Sequence, residues 1–196
     1  MRESEIEDHL ERSSQVTLFL GEAADQSPFT SDDFGLVIAA DGPRSPTRAH
    51  FKFPWWSHSY SQGCLTAKVR FRDIDPEKAF ECFRPEGPLA ILPLGNTDFQ
   101  VVWSASLHRC RQLAGLETST FLDQLCTILP NGLEPDALLD SPAAFPLEIS
   151  FAPKLHQQNV VLVGESGHRC HPVGGQGLNL CWRDVETLLQ LMTSAS

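Results

Sequence analysis

Apolar residues run without interruption from Val160 to Val163 and across residues 35–40, read GLVIAA. Runs of this length, each bounded by glycine, are the pattern of strands buried on both faces of a parallel sheet. After Val163 the chain enters a loop holding Gly164, Gly167, Pro172, Gly174, Gly175 and Gly177. The period then changes. Leu178, Cys181, Trp182, Val185, Leu188, Leu189 and Met192 recur at spacings of three and four, which predicts one face of a helix starting near Leu178. In such a strand, loop and helix unit, backbone N–H groups and the positive end of the helix dipole point at a ligand. Glycine lets a flat or charged group approach the backbone. The unit therefore favours an anionic or electron-rich ligand.

Between the two runs, residues 59–155 read as mixed β and α. Strands are predicted at 61–71, 89–94, 99–105 and 145–151, punctuated by Pro76, Pro85, Gly87, Pro88 and Gly95. Helices are predicted at 107–116 and 118–129. Phe121, Leu125 and Ile128 share a face of the second, which Thr118 or Ser119 caps. Antiparallel strands carrying two helices suit a layer that covers a substrate. Near the start, Ile6 and Leu10 stand four apart among charges, as on a surface helix over 4–14, and residues 16–20 alternate weakly as a strand.

Charge narrows the partners. A formal net charge of −10 excludes nucleic acid, whose phosphates need clustered Lys and Arg. No apolar run is long enough to span a membrane, and the opening MRESEIEDHLER is too charged for a signal peptide, so a cytoplasmic location is expected. The six cysteines form no C-x-x-C pair, which predicts reduced, mostly buried thiols. His168, Cys170 and His171 crowd too closely for a metal-ligand set, so no metal is expected.

The order of residues in the glycine loop is more specific than its composition. Gly164-Glu165-Ser166-Gly167-His168, then Pro172, then Gly174-Gly175-Gln176-Gly177-Leu178-Asn179 resembles the second flavin fingerprint of the single-component aromatic hydroxylases, G-D-A-x-H-x-x-x-P-x-x-G-Q-G-x-N. Glu165 stands where that pattern has Asp. Asp41-Gly42, Ser45 and Arg48 likewise resemble the A-D-G-x-x-S-x-x-R motif of the same flavoproteins, in the same order along the chain. Tyr60-Ser61-Gln62, the stretch 79–94 and Val101-Val102-Trp103 are similar to the quinone-biosynthesis branch, the polyprenyl-methoxyphenol hydroxylases.

The resemblance implies an α/β fold: a partial FAD-binding Rossmann-like domain of the glutathione-reductase and p-hydroxybenzoate-hydroxylase type, over 1–56 and 156–196. A mixed-sheet substrate domain over 57–155 is inserted in it. FAD is the implied cofactor, held by Asp41, Gly42, Gly164, Glu165, His168, Pro172, Gly174, Gly175, Gln176, Gly177, Leu178 and Asn179. NAD(P)H is the implied reductant. The implied reaction transfers one oxygen atom from O2 to the ring of a lipid-tailed phenol or quinone precursor, with Pro93 lining its pocket and peripheral contact with a membrane. Asp41 and Glu165 are polar anchors in this reading, not acids or bases, and no side chain is a catalytic nucleophile. For Glu165 the plainer alternative is a dipole partner at a helix start; for Trp103 it is core packing.

The G-x-G-x-x-G turn with which such hydroxylases begin is absent from this sequence. A sheet lacking the strand before that turn leaves apolar faces and backbone groups unpaired, which predicts weak folding, aggregation, or association with an N-terminal partner fragment. Two alternatives follow: a non-catalytic remnant or half of a split flavoprotein, and a flavin-dependent reductase of isoprenoid chains that shares the glycine loop.

Overall fold

The structure, a computed structural model, describes Leu10, residues 12–17, Phe19, and residues 31–172 and 175–194. The helix expected over 4–14 lies largely outside these. In the segment expected as a strand at 16–20, the described Val16, Thr17 and Phe19 belong to no strand.

Two sheets organise the described chain. The smaller places β1 (Val37–Ala39) parallel to β9 (Val160–Leu162), with β8 (His156–Gln157) on the far side of β9. Both sequence runs thus become neighbouring strands, as their apolar continuity predicts. They are not buried on both faces, however: Val160 and Leu162 are buried, while Ile38 is 50% exposed. Among the described residues β1 is an edge strand with one neighbour. Ala39, Phe53, Ala152, Val160 and Leu162 form the core of this sheet.

The larger sheet is antiparallel. Its order is β10 (His168–Arg169), β7 (Ala143–Phe151), β2 (Trp56–Arg72), β5 (Asp98–Ser106), β4 (Leu89–Gly95) and β3 (Phe80–Cys82), and β6 (Glu134–Leu138) also pairs with β2. The strand expected at 61–71 is one long element that begins five residues earlier, because β7 and β5 pair with different stretches of it. The short strands β3, β8 and β10 carry too few residues for a period-two pattern, and β6 opens on Glu134-Pro135-Asp136, which reads as a turn, so none was legible in the sequence.

Alternation of side chains divides this sheet into two faces. On one, Leu65 and Leu89 both flank Trp103, and all three are buried with Val69, Phe71, Ile91, Phe99 and Val101. Helices α2 (Leu107–Ala114) and α3 (Thr118–Cys126) cover that face through Cys110, Leu113, Phe121 and Leu125. Each large side chain removed from water here stabilises by about 1.5 to 3 kcal/mol. Trp103 is therefore core packing. The cap of α3 differs from expectation: Glu117 is its N-cap and makes no side-chain cap bond, whereas Ser106 caps α2 by accepting from the Arg109 amide at 3.2 Å. All six cysteines are free, but only Cys64 and Cys110 are buried and Cys126 is exposed.

Candidate functional site

The glycine loop joins the two sheets. It leaves β9 in the small sheet, makes a 3-10 turn at Gly164–Ser166, and enters the large sheet where β10 pairs with β7. Ser166, fully buried, fixes this turn: its hydroxyl donates to the Ala39 carbonyl at 2.6 Å, and the Ala152 amide donates to the Gly167 carbonyl at 2.8 Å.

The second motif docks on the first. Short helix α1 (Pro46–His50) is capped by the Ser45 hydroxyl, which accepts from the Arg48 amide at 2.9 Å, and Asp41 Oδ2 accepts from the Thr47 amide at 2.9 Å. Burial raises the Asp41 pKa, but the hydrogen bonds from Ser45 and Thr47 outweigh it and hold the carboxyl below its ordinary value. The Arg48 guanidinium lies 3.7 Å over the Trp55 ring and donates to the carbonyls of Pro43 and Ser166, each at 2.8 Å. Its fork is thus committed to backbone.

Helix α4 (Gln176–Ser194) begins two residues before the expected start. Its described residues are nowhere buried; Leu178, Trp182 and Leu189, all expected on an inward face, are 68%, 57% and 57% exposed. Cys181, Asp184, Val185 and Leu188 are half-buried instead, a stripe at helical spacing that faces the loop. Asp184 Oδ2 accepts from the Gly164 amide at 2.8 Å and lies 2.6 Å from His168 Nε2. Burial, with the nearby charges of Glu165 and Asp184, pushes the Cys181 thiol pKa up, while a hydrogen bond from the Glu165 amide opposes the rise.

An open groove of about 360 Å³ lies between these pieces, lined by Ala40, Gly42, Gly164, Glu165, Leu178 and Trp182 among others. It brings together Gly42, Gly164, Glu165 and Leu178 of the expected site. Asp41 stays beside it, bound to its own loop. Gln176, Gly177 and Asn179 form the first turn of α4, and Gly175, whose amide donates to the Pro172 carbonyl at 3.0 Å, stands just before it. Gly174 lies outside the described residues.

Pro172 reaches the other face of the large sheet, where Glu81, Pro88, Ala90, Val102 and Ser104 surround a hollow of about 20 Å³, room for one water-sized group. Pro93 is not there. It pairs with Phe99, a fully buried core residue, so its side chain belongs to the helix-covered face. His171 packs edge-on against Tyr60 at 5.4 Å, and burial lowers its pKa.

The groove fits the flavin end of FAD. Gly42, which lines it, has a φ of +81°, with nothing within 4 Å of where a Cβ would stand, so a ring can reach the backbone there. A helix start lies alongside, and the lining is largely apolar. Among the described residues no groove-lining side chain is cationic, so an anionic group there would rest on backbone N–H groups and the helix dipole. Among the described residues no cluster of His, Cys, Asp and Glu suits a metal ion, and no helix is long and apolar enough to cross a membrane.

Asp184 and Arg48 carry roles the motif reading did not assign. A lone carboxylate on the otherwise apolar inner stripe of a helix was the available signal for Asp184; Arg48 was marked by its motif, but its bond to Ser166, 118 residues away, was not legible.

Comparison with known proteins gives the family and the fold. The chain is 35% identical over 160 residues to an uncharacterized protein of Synechocystis sp., covering 82% of this chain and 39% of that one. It is 32% identical over 160 residues to the 3-demethoxyubiquinol 3-hydroxylase of Escherichia coli, covering 82% and 41%. It thus spans about two fifths of the length of these curated relatives. The fold matches P. aeruginosa PqsL in complex with 2-aminobenzoylacetate with a TM-score of 0.61, at 19% identity over 75% of this chain and 42% of that one. The family model described as FAD binding domain matches residues 5–195, and the chain belongs to that family.

Proposed function

We propose that this chain forms the flavin-facing and substrate-covering part of a FAD-dependent monooxygenase acting on a lipid-tailed phenol or quinone precursor. The observation that carries the reading is the docking of the two motifs on one groove, through Arg48 to Ser166 and Ser166 to Ala39. The name of the E. coli relative supports a ubiquinone precursor as the substrate class. When bound and reduced by NAD(P)H, the flavin supplies the oxygen chemistry.

The chain's own residues bind, orient and exclude water. The first turn of α4 presents backbone N–H groups and its dipole to an electron-rich ring, a placement that elsewhere contributes about 3 kcal/mol per well-aimed donor. Glu165 offers a carboxylate to the hydroxyls of the ribityl chain. The sheet face below Pro172, with Ala90, Val102 and Ser104, covers the substrate ring, and the tail of the substrate brings the protein to a membrane surface. A partner fragment carrying a dinucleotide-binding turn supplies the backbone N–H groups for the diphosphate, and β1, with one described neighbour, leaves an edge for its strand.

The test is titration of the purified chain with FAD, alone and mixed with a fragment supplying the dinucleotide turn, followed by absorbance and gel filtration. Retained flavin, and then NAD(P)H-dependent hydroxylation of a prenylated phenol, is the expected result. If the chain holds no flavin even when mixed with a fragment supplying the dinucleotide turn, the reading fails.

A further inference from the structure

The two residues of the fingerprint that the sequence marks most plainly, Gly164 and His168, do not have the same freedom to meet a ligand as their neighbours. One oxygen, Asp184 Oδ2, takes the Gly164 N–H at 2.8 Å and sits 2.6 Å from His168 Nε2. Asp184 and His168 are both largely covered, with side chains 24% and 23% exposed. Gly164 has a φ of +64°, and a Cβ there would stand 3.1 Å from Cys181 Sγ, so the loop is pressed against α4 at the point where Asp184 holds it. Glu165, between the two tethered residues, is exposed and lines the groove.

We infer that Asp184 is a positioning residue that sets the Gly164–His168 turn in its ligand-receiving shape. Asp184 acts through Gly164 and His168, and Glu165 is the loop side chain left to meet the ligand. With both groups spent on Asp184, the turn has one arrangement in which the Glu165 carboxylate faces the groove. This rests on the flavin reading for the identity of the ligand, but the tether itself stands on the hydrogen bonds alone. No step of the oxygen chemistry passes through Asp184.

The experiment compares the unaltered chain with Asp184→Ala, Asp184→Asn and Glu165→Gln in two measurements: hydrogen exchange at the Gly164 amide, and FAD affinity by flavin fluorescence. Exchange at Val101 in the large core is the control for folding. In Asp184→Ala, exchange at Gly164 rises and FAD affinity falls, each by about tenfold, with Val101 unchanged. Asp184→Asn restores an acceptor oxygen and recovers most of both. Glu165→Gln weakens FAD but leaves Gly164 exchange alone. In Asp184→Ala, either of two results overturns the inference: unchanged Gly164 exchange, or a freed Gly164 amide with FAD affinity within about twofold of the original. Should the unaltered chain bind no FAD even when mixed with a fragment supplying the dinucleotide turn, the flavin reading falls, and Gly164 exchange still decides whether Asp184 holds the turn. An Asp184→Asn variant that behaves like Asp184→Ala also counts against the tether.

Discussion

Arg48 donates to the carbonyl oxygen of Ser166 across 118 residues of sequence, at 2.8 Å. This bond fastens the Asp41-to-Arg48 segment to the glycine loop, and Ser166 passes the connection on to Ala39 in β1. The groove exists because these three points are held together. Replacing Arg48 with Ala removes two charge-assisted bonds and the stacking on Trp55, so unfolding stability should drop by about 2 to 4 kcal/mol in urea titration. Lys at the same position should recover little, because an ammonium lacks the planar fork that reaches both carbonyls.

The covered face of the large sheet predicts a different kind of loss. Leu125 is fully buried against the strands, and Leu125→Ala leaves a cavity there. The expected cost is about 2 to 5 kcal/mol by thermal or denaturant unfolding. FAD affinity measured well below the new melting temperature should be unaffected, since Leu125 lies on the face opposite Pro172.

Cysteine chemistry separates buried from exposed thiols. Burial, and then proximity to Cys110, pushes the Cys64 pKa up to about 11 from 9.0. The neutral thiol is the form the fold favours. Stability from this source is complete below pH 9 and declines as pH rises toward 11. In the folded chain at pH 8, a thiol reagent should label Cys126 and spare Cys64, as mass spectrometry of digested protein would read directly.

His171 behaves in the opposite sense. Burial lowers its pKa from 6.5, so the fold favours the neutral ring that packs on Tyr60. Stability from this source is present above pH 6.5 and is lost as pH falls below it. An NMR titration of the His171 ring should give a midpoint below 6.5, and His171→Phe should flatten that part of the acid profile. A midpoint at or above the ordinary value would contradict the packing of this loop.

The sequence by itself determined the local units. Unbroken apolar runs produced β1 and β9, the three-and-four spacing produced α4, and the order of Gly, Glu, His, Pro and Gln in one loop carried the flavoprotein resemblance. Each of these depends on neighbours along the chain, where periodicity and steric freedom act. What the tertiary structure decided depends on partners far apart. Which half of the α4 stripe turns inward is set by the loop it meets, so Cys181 and Asp184 are covered while Leu178 and Trp182 stay open. Pro93 was expected at a pocket, yet register with Phe99 puts it on the helix-covered face, because a strand's faces are assigned by its neighbours. The commitments of Arg48 and of Asp184 are to backbone and ring atoms that no spacing rule connects. Hydrogen bonds between distant segments are fixed only when packing brings those segments together.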